Sequence, residues 1–336
     1  IKLLHGSANL RPRMNLDILD QNLGCVSLTV VYSKVRNRQH LNGIGHAFAA
    51  IKEDGSVITW GQADHGGDSS SVAGKLEGGV VHVARSLAAF AAVKEDGSVI
   101  TWGLRYSGGD SSSAAGKLEG GVVQLAGTAH AFAAIKEDGS VITWGGSFGG
   151  DSSSVADKIK GGVVHVARTA GAFAAVKQDG SVVTWGLRNY GGDSSSVAGK
   201  LEGGVVQLAG TAQAFAAIKE DGSVVTWGGS FGGDSSSVTD RLEWGVVQIA
   251  GTTQAFAAIR ADGSVVTWGQ DDFGGDSSSV ADKLEGGVVQ LARTAGAFAA
   301  IKEDGSVVTW GLRYSGGDSS SVAGKLEGGV VQIAGT

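Results

Sequence analysis

The sequence predicts an all-β chain folded as a seven-bladed propeller, and three observations carry that prediction. The dipeptide Trp-Gly recurs at Trp60, Trp102, Trp144, Trp185, Trp227, Trp268 and Trp310, at spacings of 41 or 42 residues. Each copy keeps one order of signals: approximately AFAAIKEDGSVVTWG, a short variable stretch, GGDSSSVAGKLEGG, then VVQLAGT. No segment holds a long apolar period of 3.6 residues, so helices are not the building unit. Short strands repeating about every 42 residues describe a propeller blade, a small sheet that buries its faces only by stacking on its neighbours.

Composition agrees. A length of 336 residues ordinarily suggests two domains, but an array uses it in one body. The 57 Gly are many, yet with 1 Pro and 8 Trp the chain is not a disordered low-complexity sequence. A single cysteine, Cys25, excludes a disulfide scaffold and a Cys-rich zinc module. No apolar run reaches the length of a membrane-spanning helix. The net charge of −6 disfavours nucleic acid as a partner. It is unevenly placed: residues 1–40 hold six Lys or Arg against Asp17 and Asp20, so the remainder is acidic.

In chain order, residues 1–44 match no repeat and read as a basic N-terminal arm; residues 45–336 read as the propeller. Within the arm, Leu16 to Leu23 is compatible with a helical turn or two, and Cys25 to Tyr32 alternates like an edge strand. The arm is either a tail packed on the propeller or a docking element for a larger assembly. With no secretory signal region, the chain is expected to be soluble and intracellular.

Inside each unit AFAAIK and SVVTW flank an Asp-Gly, such as Asp54-Gly55, a strong short hairpin signal because such turns need positive φ. VVQLA is a short apolar run suited to a buried strand. GGDSSSV is expected to add a short, poorly paired fourth strand, with its Asp bonding the N–H groups that follow. The first unit starts at His46-Ala47-Phe48 without a good VVQLA before it, and the sequence ends on Val330 to Ala334 without a hairpin after it. This last strand is therefore expected to complete the first blade and close the ring.

These units resemble the repeat of the RCC1 (regulator of chromosome condensation) superfamily of seven-bladed propellers. The resemblance rests on the DG-x-V-x-x-WG core in all seven copies and covers about 290 of the 336 residues. Departures are plain: GGDSSSV stands where the family has GQLG, and the flanking proline is missing. The repeat length is closest to the family's β-lactamase-inhibiting propeller. The Gly-Trp-Arg-His-Thr motif of its light-sensing members is absent. The resemblance implies regulation of an enzyme, as an inhibitor or a nucleotide-exchange factor. Exchange factors of the family insert a wedge from one blade, and no blade here carries a long insertion.

One Trp per blade is most simply a packing residue between blades. Trp244 stands where other units have Gly, as an exposed contact or a loop plug. Asp68, Asp110, Asp151, Asp193, Asp234, Asp276 and Asp318 of GGDSSS invite a calcium reading. One carboxylate per blade is too few for that ion, and turn capping is expected. The Ser triplets have no accompanying His and Asp, so no nucleophile is built. His82 and His165 alternate with Gln in the VVxxA strand, a polar position near the channel. No enzyme chemistry, metal or cofactor is expected.

Differences among units say more. Three have Arg after the VVxxA strand (Arg85, Arg168, Arg293), and the same three have Leu-Arg after Trp-Gly (Arg105, Arg188, Arg313). In an up-and-down blade both positions lie on one edge, with Tyr106, Phe148, Tyr190, Phe231, Phe273 and Tyr314. Arg and aromatic residues with few Lys are the composition of a protein-binding surface. The expected function is a non-enzymatic scaffold or accessory subunit holding a protein partner, within a larger complex, through this edge. Two other roles stay open for the arginines: pairing with Asp of the neighbouring blade, or holding a small anion. A propeller lectin with pockets between blades is a further alternative.

Overall fold

The computed structural model describes residues 3–5, 8–10 and 46–335. The chain divides into two compact units, Ile1–His40 and Leu41–Thr336. In the first, Leu3–His5 pairs antiparallel with Ala8–Leu10. The helical turn expected over 16–23 and the strand expected over 25–32 lie outside the described residues.

The second unit is an all-β propeller of seven blades: blade 1 over 47–61, blade 2 over 80–103, blade 3 over 122–145, blade 4 over 163–186, blade 5 over 205–228, blade 6 over 246–269 and blade 7 over 288–311. Blades 2–7 are three-stranded antiparallel meanders. Blade 2 shows the pattern, with inner strand Val80–Arg85, middle strand Ala89–Lys94 and outer strand Val99–Gly103. The middle strand is buried on both faces, and its small alanines let neighbouring blades approach. The Asp-Gly hairpin forms as the sequence predicts: Gly97 has φ 74°, and Asp96 Oδ1 accepts the Ser98 N–H at 2.9 Å.

The Trp residues are the joints between blades. Trp102 stacks on Phe90, directly opposite in the ladder, at 5.3 Å between ring centroids. Its indole N–H crosses to the preceding unit and donates to the Gly66 carbonyl at 3.0 Å. The same bond joins Trp144 to Gly108, Trp185 to Gly149, Trp227 to Gly191, Trp268 to Gly232 and Trp310 to Gly274. Gly66 has φ 92°, and a Cβ there would come within 2.6 Å of the Phe90 ring, so only glycine seats this joint.

Two expectations are corrected. GGDSSSV is not a fourth strand but leads into a 3-10 turn, Ser70–Lys75 in the first unit. The Asp68 carboxylate takes the Ser70 N–H at 2.8 Å and Ser69 Oγ meets the Thr59 hydroxyl at 2.9 Å, so the segment is held by side chains rather than by a ladder. Leu76 then drops into the core.

The second correction concerns closure. Among the described residues blade 1 has two strands, Ala47–Ile51 and Val57–Gly61, and residues 330–334 form no strand and do not complete it. That segment starts as the inner strands do, with Val330 N–H on the Gly305 carbonyl at 3.0 Å, and passes Gly335 against the Arg293 carbonyl. It is laid on blade 7. Among the described residues no backbone hydrogen bond joins 46–61 to 305–335. Trp60 and Phe48 consequently stay 49% and 44% exposed, and Gly316, the counterpart of Gly66, meets no ring. The physical reason is that each joint fixes one blade on the one before it. Closure needs all the steps together to make a full turn, which no single joint enforces.

Candidate functional site

The strand register brings the candidate edge together. Arg85 lies opposite Phe90, and Phe90 opposite Trp102, so the end of the inner strand and the end of the outer strand share one edge. Arg168 opposite Phe173 and Arg293 opposite Phe298 repeat the placement in blades 4 and 7.

A hydrogen-bonded rim runs along this edge. The turn after each inner strand donates to the turn of the next blade: Leu87 N–H to Ala129 O, Ala129 to Ala170, Ala170 to Ala212, Ala212 to Thr253, and Thr253 to Ala295, at 2.8 to 2.9 Å. In blades 3–7 the Thr hydroxyl beside the turn ties it to the loop after Trp-Gly. Thr128 Oγ1 accepts the Ala131 N–H at 3.0 Å and donates to the Phe148 carbonyl at 2.8 Å. Thr169 holds the Tyr190 carbonyl and Thr252 the Phe273 carbonyl in the same way. These residues escape a search for chemistry-bearing side chains. The recurring Thr of VVQLAGT is the signal that marks them.

The arginines divide into two sets. The loop set is ion-paired within its own unit: Arg105 Nε to Asp110 at 3.1 Å, Arg188 to Asp193 at 3.2 Å and Arg313 to Asp318 at 3.0 Å. The expected alternative placed the acid on the neighbouring blade; it lies five residues along the same chain. The backbone N–H and hydroxyl of Ser112, more than Arg105, hold the Asp110 carboxyl below its ordinary pKa. All seven Asp of this motif accept the N–H two residues on, which is the expected turn-capping role. The strand set differs: among the described residues no ion pair or side-chain hydrogen bond engages Arg85, Arg168 or Arg293. Desolvation lowers the pKa of all three, and that of Arg168 is lowered further by the charges of Arg85 and Arg293. Arg168 keeps solvent contact even though desolvation is the largest cause of its lowered pKa.

The aromatics divide as well. Tyr106 and Tyr314 stand in solvent, 75% and 95% exposed, and Phe231 is at the margin. Phe148, Tyr190 and Phe273 are half-buried loop plugs. Phe148 meets His130 edge-on at 4.6 Å and Tyr190 at 6.4 Å, while Tyr190 and Phe273 pack on the cores beneath them. Packing also accounts for part of the two blade types. A Cβ on Gly171 would lie 2.9 Å from the Tyr190 ring and 3.2 Å from Leu187, so a Leu after Trp-Gly requires a small residue before Ala-Phe. In blade 5 the exchange runs the other way, with Gln213 filling the space over Gly229.

Inside the rim the inner strands present His82, Gln124, His165, Gln207, Gln248 and Gln290. Gln124 and His165 lie 3.4 Å apart across two blades. Burial lowers the pKa of His82 and His165, which favours their neutral forms. A polar cleft of about 490 Å³ opens between blades 4 and 5, lined by Arg188, Asn189, Asp193, Gln213 and Ser230 among others. On the opposite edge Trp244 is 62% exposed, with the Arg260 guanidinium 4.6 Å from its ring centroid. It is a lid over a cation rather than a loop plug. Among the described residues no group of three His, Cys, Asp or Glu is placed to hold a metal, and no helix is long and apolar enough to cross a membrane.

No protein-family profile and no curated protein match the chain. Solved structures do. Prp20p from Saccharomyces cerevisiae, described with its binding to Gsp1p and histones, is 18% identical over 69% of this chain and 72% of that one, with a TM-score of 0.44. The CRINKLY WD40 ectodomain of the Arabidopsis thaliana receptor kinase ACR4 is 16% identical over 79% and 91%, with a TM-score of 0.44. Human WBSCR16 is also similar, at 17% identity over 84% of this chain and 77% of that one, with a TM-score of 0.39. At these identities and TM-scores the likeness says nothing of function, and the propeller stands on the repeated sheets of the chain itself.

Proposed function

We propose that the propeller is a non-enzymatic interaction scaffold that binds a protein partner through its arginine and aromatic edge. The observation that carries this reading is the pairing of solvent-standing Tyr106 and Tyr314 with Arg105 and Arg313, each arginine held in place by its own aspartate. Exposed Tyr beside pre-ordered Arg provides large contact area at small conformational cost, as in interface hot spots. The partner belongs to a larger complex, with the basic residues 1–44 as a second docking element.

Crosslinking pull-down tests this, comparing wild type with Tyr106→Ala/Tyr314→Ala and with all six arginines of the edge changed to Glu. A stoichiometric partner kept by wild type and lost by both variants, with Trp fluorescence unchanged, is the expected result. Equal capture by all three moves the interface to the arm or the opposite edge. If the partner is an enzyme whose rate changes on binding, the role is regulatory. The polar cleft between blades 4 and 5 favours a second reading, a glycan-binding propeller, and saturable glycan binding lost in Gln213→Ala would select it.

A further inference from the structure

Arg85, Arg168 and Arg293 end their inner strands at one level, each opposite the first aromatic of its middle strand, so their side chains leave equivalent faces of three blades. The rim brings these ends close. Its bonds of 2.8 to 2.9 Å join the turns that follow successive inner strands, and Arg168 is two such steps from the blade of Arg85 and three from that of Arg293. At the same level the intervening blades 3, 5 and 6 have Gly127, Gly210 and Gly251, which bring no side chain into the space between the guanidinium groups. A Cβ at Gly127 or Gly210 would strike the carbonyl of the arginine in the preceding blade. The inner strands of blades 2–7 contain no Asp or Glu, and the side chains deeper along them are the neutral Gln and His described above.

Among the described residues these three cations thus have no counter-charge, while the other edge arginines are neutralised locally. We propose that Arg85, Arg168 and Arg293 form a binding site for a small multivalent oxyanion at the inner rim of the propeller. Guanidinium forks bind phosphoryl and carboxylate oxygens in pairs, and a ligand with several such oxygens meets more than one fork at once. Bound anion also relieves the mutual repulsion that Arg168 feels from Arg85 and Arg293, and the neutral Gln and His beneath offer further donors. The site needs no protein partner and excludes the loop arginines, so it stands or falls separately from the scaffold reading.

Calorimetric titration of the purified chain with inorganic pyrophosphate, at constant ionic strength, tests it. One saturable site is expected in wild type, weakened at least about ten-fold in Arg168→Gln and in Arg293→Gln. Arg168→Lys keeps the charge without the fork and should fall between. Changing Arg105, Arg188 and Arg313 together to Gln should leave affinity within about two-fold. Citrate should compete for the same site. No saturable binding, binding that survives both single substitutions, or equal weakening in the loop triple overturns the proposal. The thermal midpoint without anion keeps folding separate: Arg168→Gln should match or exceed wild type, and a lower midpoint would make Arg168 a structural residue and overturn the site.

Discussion

The two sets of arginines use the same side chain on the same edge of the same three blades, and their surroundings are opposite. Arg105, Arg188 and Arg313 reach solvent and each meets an aspartate five residues on. Arg85, Arg168 and Arg293 are partly desolvated and meet no carboxylate among the described residues, and Arg168 is repelled by the other two. The difference teaches that residue type and edge do not set electrostatic role here. A local turn that places Asp against Arg spends the charge on loop order; a strand end at a shared rim leaves the charge available.

Both sets are held in register by the joints between blades, so the largest effect comes from breaking one. Trp185→Ala should destabilise by about 3–5 kcal/mol, since it empties a fully buried site and orphans the Gly149 carbonyl. Trp60→Ala, at a half-exposed position where no such bond occurs among the described residues, should lose less than about 1 kcal/mol. Paired urea titrations read the difference, and equal losses would mean that blade 1 is covered in solution.

Next comes the contrast between the sets themselves. Arg168→Met removes a repelled charge and should raise the thermal midpoint, by less than the roughly 2 °C that about 1 kcal/mol makes in a large domain, because solvent contact screens part of the repulsion. Arg105→Met deletes an exposed ion pair and should leave the midpoint within about 1 °C. Added KCl should stabilise wild type more than Arg168→Met, because salt screens repulsion along the rim. Scanning calorimetry at two salt concentrations checks all three, and a fall in the Arg168→Met midpoint would erase the contrast.

The smallest effect is that of pH. His82 and His165 have folded pKa values lowered by burial, so between the ordinary His value and the lowered one the unfolded chain binds more protons than the folded one. Stability is therefore full above about pH 6.5 and is lost as pH falls through that window. His82→Gln/His165→Gln, which copies the residue that other blades already use, should flatten the profile of midpoint against pH between about 6.5 and 5.

The period, the Asp-Gly hairpins and the packing role of Trp were legible because each depends on contacts close in sequence or repeated at every blade. The common edge of Arg85 and Arg105 was legible too, since an up-and-down meander dictates which strand ends coincide. GGDSSSV was misread as a strand because its side chains, not its backbone, make the tie to Thr59. The division of the arginines was not visible: Arg105 and Arg85 are alike as letters, and whether a carboxylate comes within 4 Å is a matter of three-dimensional placement.

By itself, then, the sequence determined the seven units, the turn at every Asp-Gly and the edge on which the variable residues gather, because strand alternation and turn geometry act over a few residues. Tertiary structure alone decided which arginines keep an unspent charge and whether Val330 to Ala334 reaches blade 1. The first depends on what each guanidinium meets where its turn or strand end places it, the second on how six joints add up in space, and no stretch of sequence carries a sum of small rotations.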